Sequence, residues 1–260
     1  MRFAEATALS ELGDGRFSAH LQPGWDAFGG VANGGYVLAL AAKAAVVATG
    51  RQDPISVTAH YIGPGRSGSD VTISTRVVKN GRQFSVAHVD MTCADSLTIS
   101  ALATCGDAAE EGPLADFPDL PPPDACVPVV PGDPLPPPMV GQIETRLHPD
   151  DAAFLQRPTG RAGLRGWFRL LDGEPLSTLA AILATDTWPP PLFIAEGPTG
   201  WIATLELTVH IRSHPRTDWL ACVFDRNVVS GGTVSWDGTI ADERGRLVAT
   251  CRQLALLPRV

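Results

Sequence analysis

The chain has 260 residues, 44% of them hydrophobic and 18% charged, with a formal net charge of −8. That balance describes an ordinary soluble protein with one large core or two small ones, and it argues against nucleic acid as a partner. No apolar run approaches the ~18 residues that span a bilayer, and the first five residues, Met1-Arg2-Phe3-Ala4-Glu5, lack the core of a signal peptide, so a cytoplasmic chain with no membrane partner is expected.

In chain order, Arg16 to Leu21 reads as a first strand closed by Pro23-Gly24. An irregular loop follows, and then Gly34 to Ala48 is an alanine-rich, nearly all-apolar helix with Asn33 as its N-cap. Gly34-Gly35 lets something approach the backbone closely, either an anionic or oxyanion group on free N–H donors or a packed neighbour. Strands are expected at Ile55–Ile62, Asp70–Lys79, Gln83–Cys93 and Leu97–Cys105, with Asn80-Gly81 as a hairpin turn. One buried helix against an antiparallel meander of long strands is the layout of the hotdog fold.

From residue 108 to 141 the composition changes to a proline-rich connector, expected to be extended, exposed and mobile. Beyond it the pattern returns. Gln142–Leu147 and Gly163–Leu171 read as strands. Glu174 to Trp188 reads as a helix opened by Pro175, buried nearly all round, ended by Asp186 and stopped by Pro189-Pro190-Pro191. A carboxylate at the end of such a helix is costly unless it is hydrogen-bonded or used. Four strands close the chain: Trp201–Arg212, Trp219–Val229, Thr233–Asp242 and Leu247–Leu257.

The halves match at a constant offset of 150. Val57-Thr58-Ala59-His60 pairs with Leu207-Thr208-Val209-His210, Gly81 with Gly231, Ser85 with Ser235 and Leu97 with Leu247. This is a tandem duplication. It predicts an α+β tandem hotdog, two long antiparallel sheets joined edge to edge and each wrapping one buried helix. The units are 1–107 and 142–260, with 108–141 between them.

No GxSxG, HExxH, P-loop or strand-borne GxGxxG is present. The five cysteines show no CxxC spacing and read as small hydrophobes in a reducing compartment. The six histidines lack partners at ligand spacing, so no metal is expected. More telling are polar residues present in one copy only. At the offset of 150, Glu206 corresponds to Ser56, Asn227 to Val77 and Gln253 to Ala103. Each has an ordinary structural explanation, but together they suggest one active site on two scaffolds.

The chain resembles the acyl-CoA thioesterase II family (TesB-like) of double-hotdog proteins over essentially its whole length. The first half carries Asn33-Gly34-Gly35-Tyr36, His60-Tyr61 with Pro64-Gly65, and Asn80-Gly81-Arg82-Gln83-Phe84-Ser85. The second carries Asp186, the run Thr204-Leu205-Glu206-Leu207-Thr208-Val209-His210, and the run from Gly245 to Gln253. In that family an Asp, a Thr or Ser and a Gln act on one water. The resemblance implies Gln253 as the Gln, Glu206 in place of the Asp and Asn227 near the Thr, with Asp186 structural. It also implies an acyl-CoA or similar acyl-thioester substrate met by Asn33, Gly34, Gly35 and Tyr36, no cofactor, a role in lipid metabolism and a homodimer. The rival expectations are a hydratase or dehydratase of hotdog type, which needs an Asp/His couple, and a binding protein without turnover.

Overall fold

The computed structural model describes residues 1–117, 119–131, 137–198 and 200–258. The first half contains α1 (Phe3–Ala6), β1 (Ser10–Gly13), β2 (Arg16–His20), α2 (Gly34–Thr49), β3 (Asp53–Tyr61), β4 (Asp70–Asn80), β5 (Ser85–Cys93) and β6 (Ser96–Gly106). After β7 (Val127–Val129) come β8 (Ile143–Leu147), α3 (Pro149–Ala152), β9 (Leu164–Leu170), α4 (Thr178–Ala184) and α5 (Pro191–Glu196). The chain closes with β10 (Ala203–Ile211), β11 (Leu220–Ser230), β12 (Thr233–Asp242) and β13 (Leu247–Leu256).

The strands form one antiparallel sheet in the order β1-β2-β4-β5-β6-β3-β10-β13-β12-β11-β9-β8-β7. Its midline is the β3–β10 pair, where Thr58 lies directly opposite Thr208. These two residues are themselves related by the offset of 150, so the pseudo-twofold axis of the duplication passes between them. Their hydroxyls lie 3.0 Å apart. Each half curls round its own helix, and the apolar inner face supplies the core.

The two helices are built differently. α2 runs 16 residues, with the Asn33 side chain accepting from Tyr36 N and Gly50 closing it at a φ of +63°. α4 runs only 7 residues, and Ser177 caps it by accepting from Ala180 N at 3.2 Å. Pro175 therefore precedes this helix instead of opening it, and the Ser177 hydroxyl provides the N-cap by satisfying Ala180 N. Pro191 does open a helix, the short α5.

The connector is not a free strap. Of its residues, Pro118 and 132–136 lie outside those described; more than half of the rest are exposed, but the segment is anchored at several points. Leu247 N donates to Pro113 O and Ala115 N to Gly245 O, each at 2.9 Å. Phe117 and Leu120 pack on buried Cys126, Trp167 and Trp219 on the outer side of the second half, and Trp167 Nε1 donates to Pro121 O at 2.7 Å. β7 pairs with β8 at the sheet edge. Leu114 and Val130 are 70% and 64% exposed, while the anchored points use proline rings, which are apolar, and proline carbonyls, which still accept hydrogen bonds. A proline-rich strand also suits an edge, where its missing N–H is not needed.

Candidate active site

The C-terminal end of α4 points at the N-terminal end of α2, and Asp186 fills the junction. Its Oδ2 accepts from Gly35 N at 3.0 Å and from Asn33 Nδ2 at 3.2 Å; its backbone carbonyl accepts from the same Asn33 amide at 2.8 Å. Glycine is required at both first-turn positions of α2. A Cβ on Gly34 would come within 2.7 Å of Asp186 Oδ2, and one on Gly35 within 2.8 Å of Leu183 O. At the end of its own helix a carboxylate is disfavoured by the helix dipole, whereas the N-terminus of α2 attracts it. Burial dominates, and the Asp186 pKa is pushed up to about 6 despite the donors from Gln253, Gly35, Gly34 and Asn33 that pull it down. The part of Asp186 that stays accessible borders an internal cavity.

Gln253 reaches the same carboxylate from β13. Its Nε2 donates to Asp186 Oδ1 at 2.9 Å and to Thr204 Oγ1 at 2.7 Å. Thr204 thereby accepts through its oxygen and keeps its own proton for another partner. A β-bulge brings it there. Thr204 lies opposite Ala255, and Leu207 opposite Gln253, with the register shifting between Thr204 and Glu206. The extra residue turns Thr204 inward, to the side of buried Ala255 and Gln253.

Glu206, which alternates with buried Leu207 and Val209, lies on the outer face opposite His60, with its Oε1 accepting from Thr208 Oγ1 at 2.5 Å. Asn227 stands near the far end of β11, where its Nδ2 donates to Ala162 O at 2.7 Å. Neither borders the cavity. Of the expected trio only Gln253 is at the junction, and its partners are Asp186 and Thr204. Glu206 is not at the junction because alternation with inward Leu207 turns it outward, while the bulge turns Thr204 inward in spite of that alternation. Asn227 is not at the junction because absence from one copy does not place a residue on the inner face, and its side chain bonds Ala162 O. Two signals pointed to the observed set. Asp186 is a carboxylate on a buried helix, and Thr204 also lacks a counterpart, since position 54 is proline.

The other expected positions divide. Asn33 and Gly34 border the cavity. Gly35 is spent on Asp186, so the α2 donors hold a carboxylate and are not free for an oxyanion. Tyr36 points into the core, where its hydroxyl donates to Ala6 O at 2.7 Å. Sequence reasoning missed Tyr61, which borders the cavity and donates to Gly34 O at 2.8 Å. Burial raises its pKa first, and the Asp186 and Glu206 carboxylates add to this. The cavity measures about 1020 Å³ and also takes in connector residues such as Pro128, Val129 and Met139.

Residues 123–257 match the family description "acyl-CoA thioesterase C-terminal domain", and residues 21–106 match "acyl-CoA thioesterase N-terminal domain". The chain belongs to the acyl-CoA thioesterase family. Like its family it is a thioester hydrolase on a double-hotdog, α+β frame. Among solved structures it is similar to a protein of Thermobifida fusca assigned as a thioesterase II, with 29% identity, 99% of this chain and 98% of the other covered, and a TM-score of 0.89. The tesB protein of Mycobacterium avium subsp. paratuberculosis shares the fold, at 21% identity, 99% and 98% coverage and a TM-score of 0.81. An uncharacterized protein of Mycobacterium tuberculosis is 25% identical over 271 aligned positions, covering 93% of this thioesterase and 91% of the relative.

Proposed function

We propose that this thioesterase hydrolyses an acyl-CoA by direct attack of one water, held between Asp186, Thr204 and Gln253. The convergence of those three side chains on the cavity is the observation that carries the reading. Asp186, ionised at neutral pH with a value of about 6, takes a proton from the water as its oxygen bonds to the thioester carbon. Gln253 fixes the carboxylate through Nε2, and the free proton of Thr204 orients the water oxygen. The tetrahedral intermediate then collapses, the carbon–sulfur bond breaks, and the proton on Asp186 passes to the departing thiolate. Free acid and thiol result, with no covalent enzyme intermediate and no cofactor.

The polar cluster disfavours the dehydratase alternative, because no histidine is among the described residues that border the cavity. Five free, buried cysteines suit a reducing cytosol. The exposed Leu102 on the outer side of β6 suits the homodimer, which light scattering at twice the chain mass would test. The deciding experiment is thiol release from a panel of acyl-CoAs by the wild type and by Asp186→Asn. Release by the wild type with a loss of ~10³ in the variant is expected. Equal rates in the two would end the assignment.

A further inference from the structure

The cavity is chemically lopsided. Its hydrogen-bonding cluster is gathered at Asp186, Asn33, Thr204 and Gln253. The remaining wall is mostly apolar, with eight aromatic and eight proline residues beside aliphatic ones such as Val37 and Leu205 and a few threonines, and no lysine, arginine or histidine stands among the described lining residues. Next to Asp186, the Trp188 indole donates to Ala184 O at 2.9 Å. Its ring lies over Gly166, where a Cβ would come within 2.7 Å of Cζ3. Phe224 packs on it at a centroid distance of 6.2 Å and an angle of 50°. Trp236 stands directly across from Gln253 on the neighbouring strand. These rings are pinned by a hydrogen bond, by a glycine seat or by full burial, and the Pro189-Pro190-Pro191 backbone beside them has its φ angles fixed.

A wall of pinned rings offers flat surfaces at set positions. A carrier arm rich in amides would find few partners against it. A linear acyl chain can fit, but it surrenders several freely rotating bonds in doing so. A ring has already surrendered them, and it gains edge or offset contacts with the aromatic wall. We propose that the acyl group is uncharged and ring-bearing, an aryl- or alicyclic-alkanoyl group seated against Trp188, Phe224 and Trp236 with its thioester carbon beside Asp186. This rests on the thioesterase reading above.

The test uses the full chain and phenylacetyl-, cyclohexylacetyl- and octanoyl-CoA, which have equal carbon counts. Both ring-bearing thioesters should show kcat/KM about tenfold or more above octanoyl-CoA. Trp188→Leu and Phe224→Leu should each bring that ratio toward one. In parallel, the three free acids are titrated against the fluorescence of the cavity tryptophans below pH 6, where protonated Asp186 does not repel a carboxylate. The ring-bearing acids should bind more tightly than octanoate. A linear substrate hydrolysed as well as or better than the cyclic ones overturns the ring preference and leaves hydrolysis standing. No thiol release from any of the three overturns the hydrolase reading, and the acid titration then decides the ring preference on its own.

Discussion

The two halves share strands, register and a buried helix, yet only one ends its helix in a carboxylate. α2 is long, capped at both ends, and offers donors at its N-terminus. α4 is half as long and offers Asp186 beyond its last turn, which by itself is an unfavourable place for a negative charge. Set end to end, the two complement each other. The first copy supplies the donors and glycines that make the acid tolerable, and the second supplies the acid, Thr204 and Gln253. On the proposed mechanism, duplication separated support from chemistry.

Substitutions that abolish this division should have the largest effect. Asp186→Asn should lower kcat/KM by ~10³ or more, while Glu206→Gln, on the outer face, should stay within about twofold of wild type in the same thiol-release assay. A severe loss in Glu206→Gln with an active Asp186→Asn would reverse the assignment. Gln253→Ala should cost ~10²–10³ and Thr204→Val ~10–10², and the double variant little more than Gln253→Ala, because both groups act on one water.

The support side of the comparison is tested at α2. Gly35→Ala should separate the two helix ends, since its Cβ would meet Leu183 O at 2.8 Å and Asp186 Cβ at 3.1 Å. A stability loss of about 1–3 kcal/mol by chemical denaturation is expected, with lowered turnover.

Titration sharpens the same contrast. The Asp186 pKa of about 6 in the fold lies above its ordinary value of 3.8. Protonation therefore favours the folded state. That stabilisation is complete below the ordinary value and is lost as pH rises through about 6, a cost of about 3 kcal/mol for the ionised acid. Turnover should follow the opposite limb, rising as Asp186 ionises near pH 6. Loss of that limb in kcat/KM for Asp186→Asn is the check.

The smallest effects belong to the second half's outer features. Asn227→Ala should cost about 0.5–1.5 kcal/mol of stability through its bond to Ala162 O and leave turnover unchanged. Leu120→Ala should loosen the anchored part of the connector and speed protease cutting between Asp119 and Val129, where the wild type should resist. Equal cutting rates would mean that the apolar contacts to Trp167 and Trp219 do not hold the segment.

What the sequence determined by itself was periodic. The spacing of apolar residues defined the strands and the two buried helices. The offset of 150 defined the tandem arrangement, because a repeated core must be written twice in the chain. Asp186 and Gln253 were both conspicuous as polar groups on apolar elements, and the resemblance to a thioesterase family followed from short runs around them. What only the tertiary structure decided was which of these groups meet. One bulged residue in β10 turned Thr204 to the inner face, and no period of two can announce its own interruption. The encounter of Asp186 with α2 depends on two helix ends 151 residues apart in the chain, brought together by the sheet that carries them. The anchored part of the connector likewise depends on a pair of tryptophans, Trp167 in β9 and Trp219 just before β11, a surface that exists only once those strands are paired.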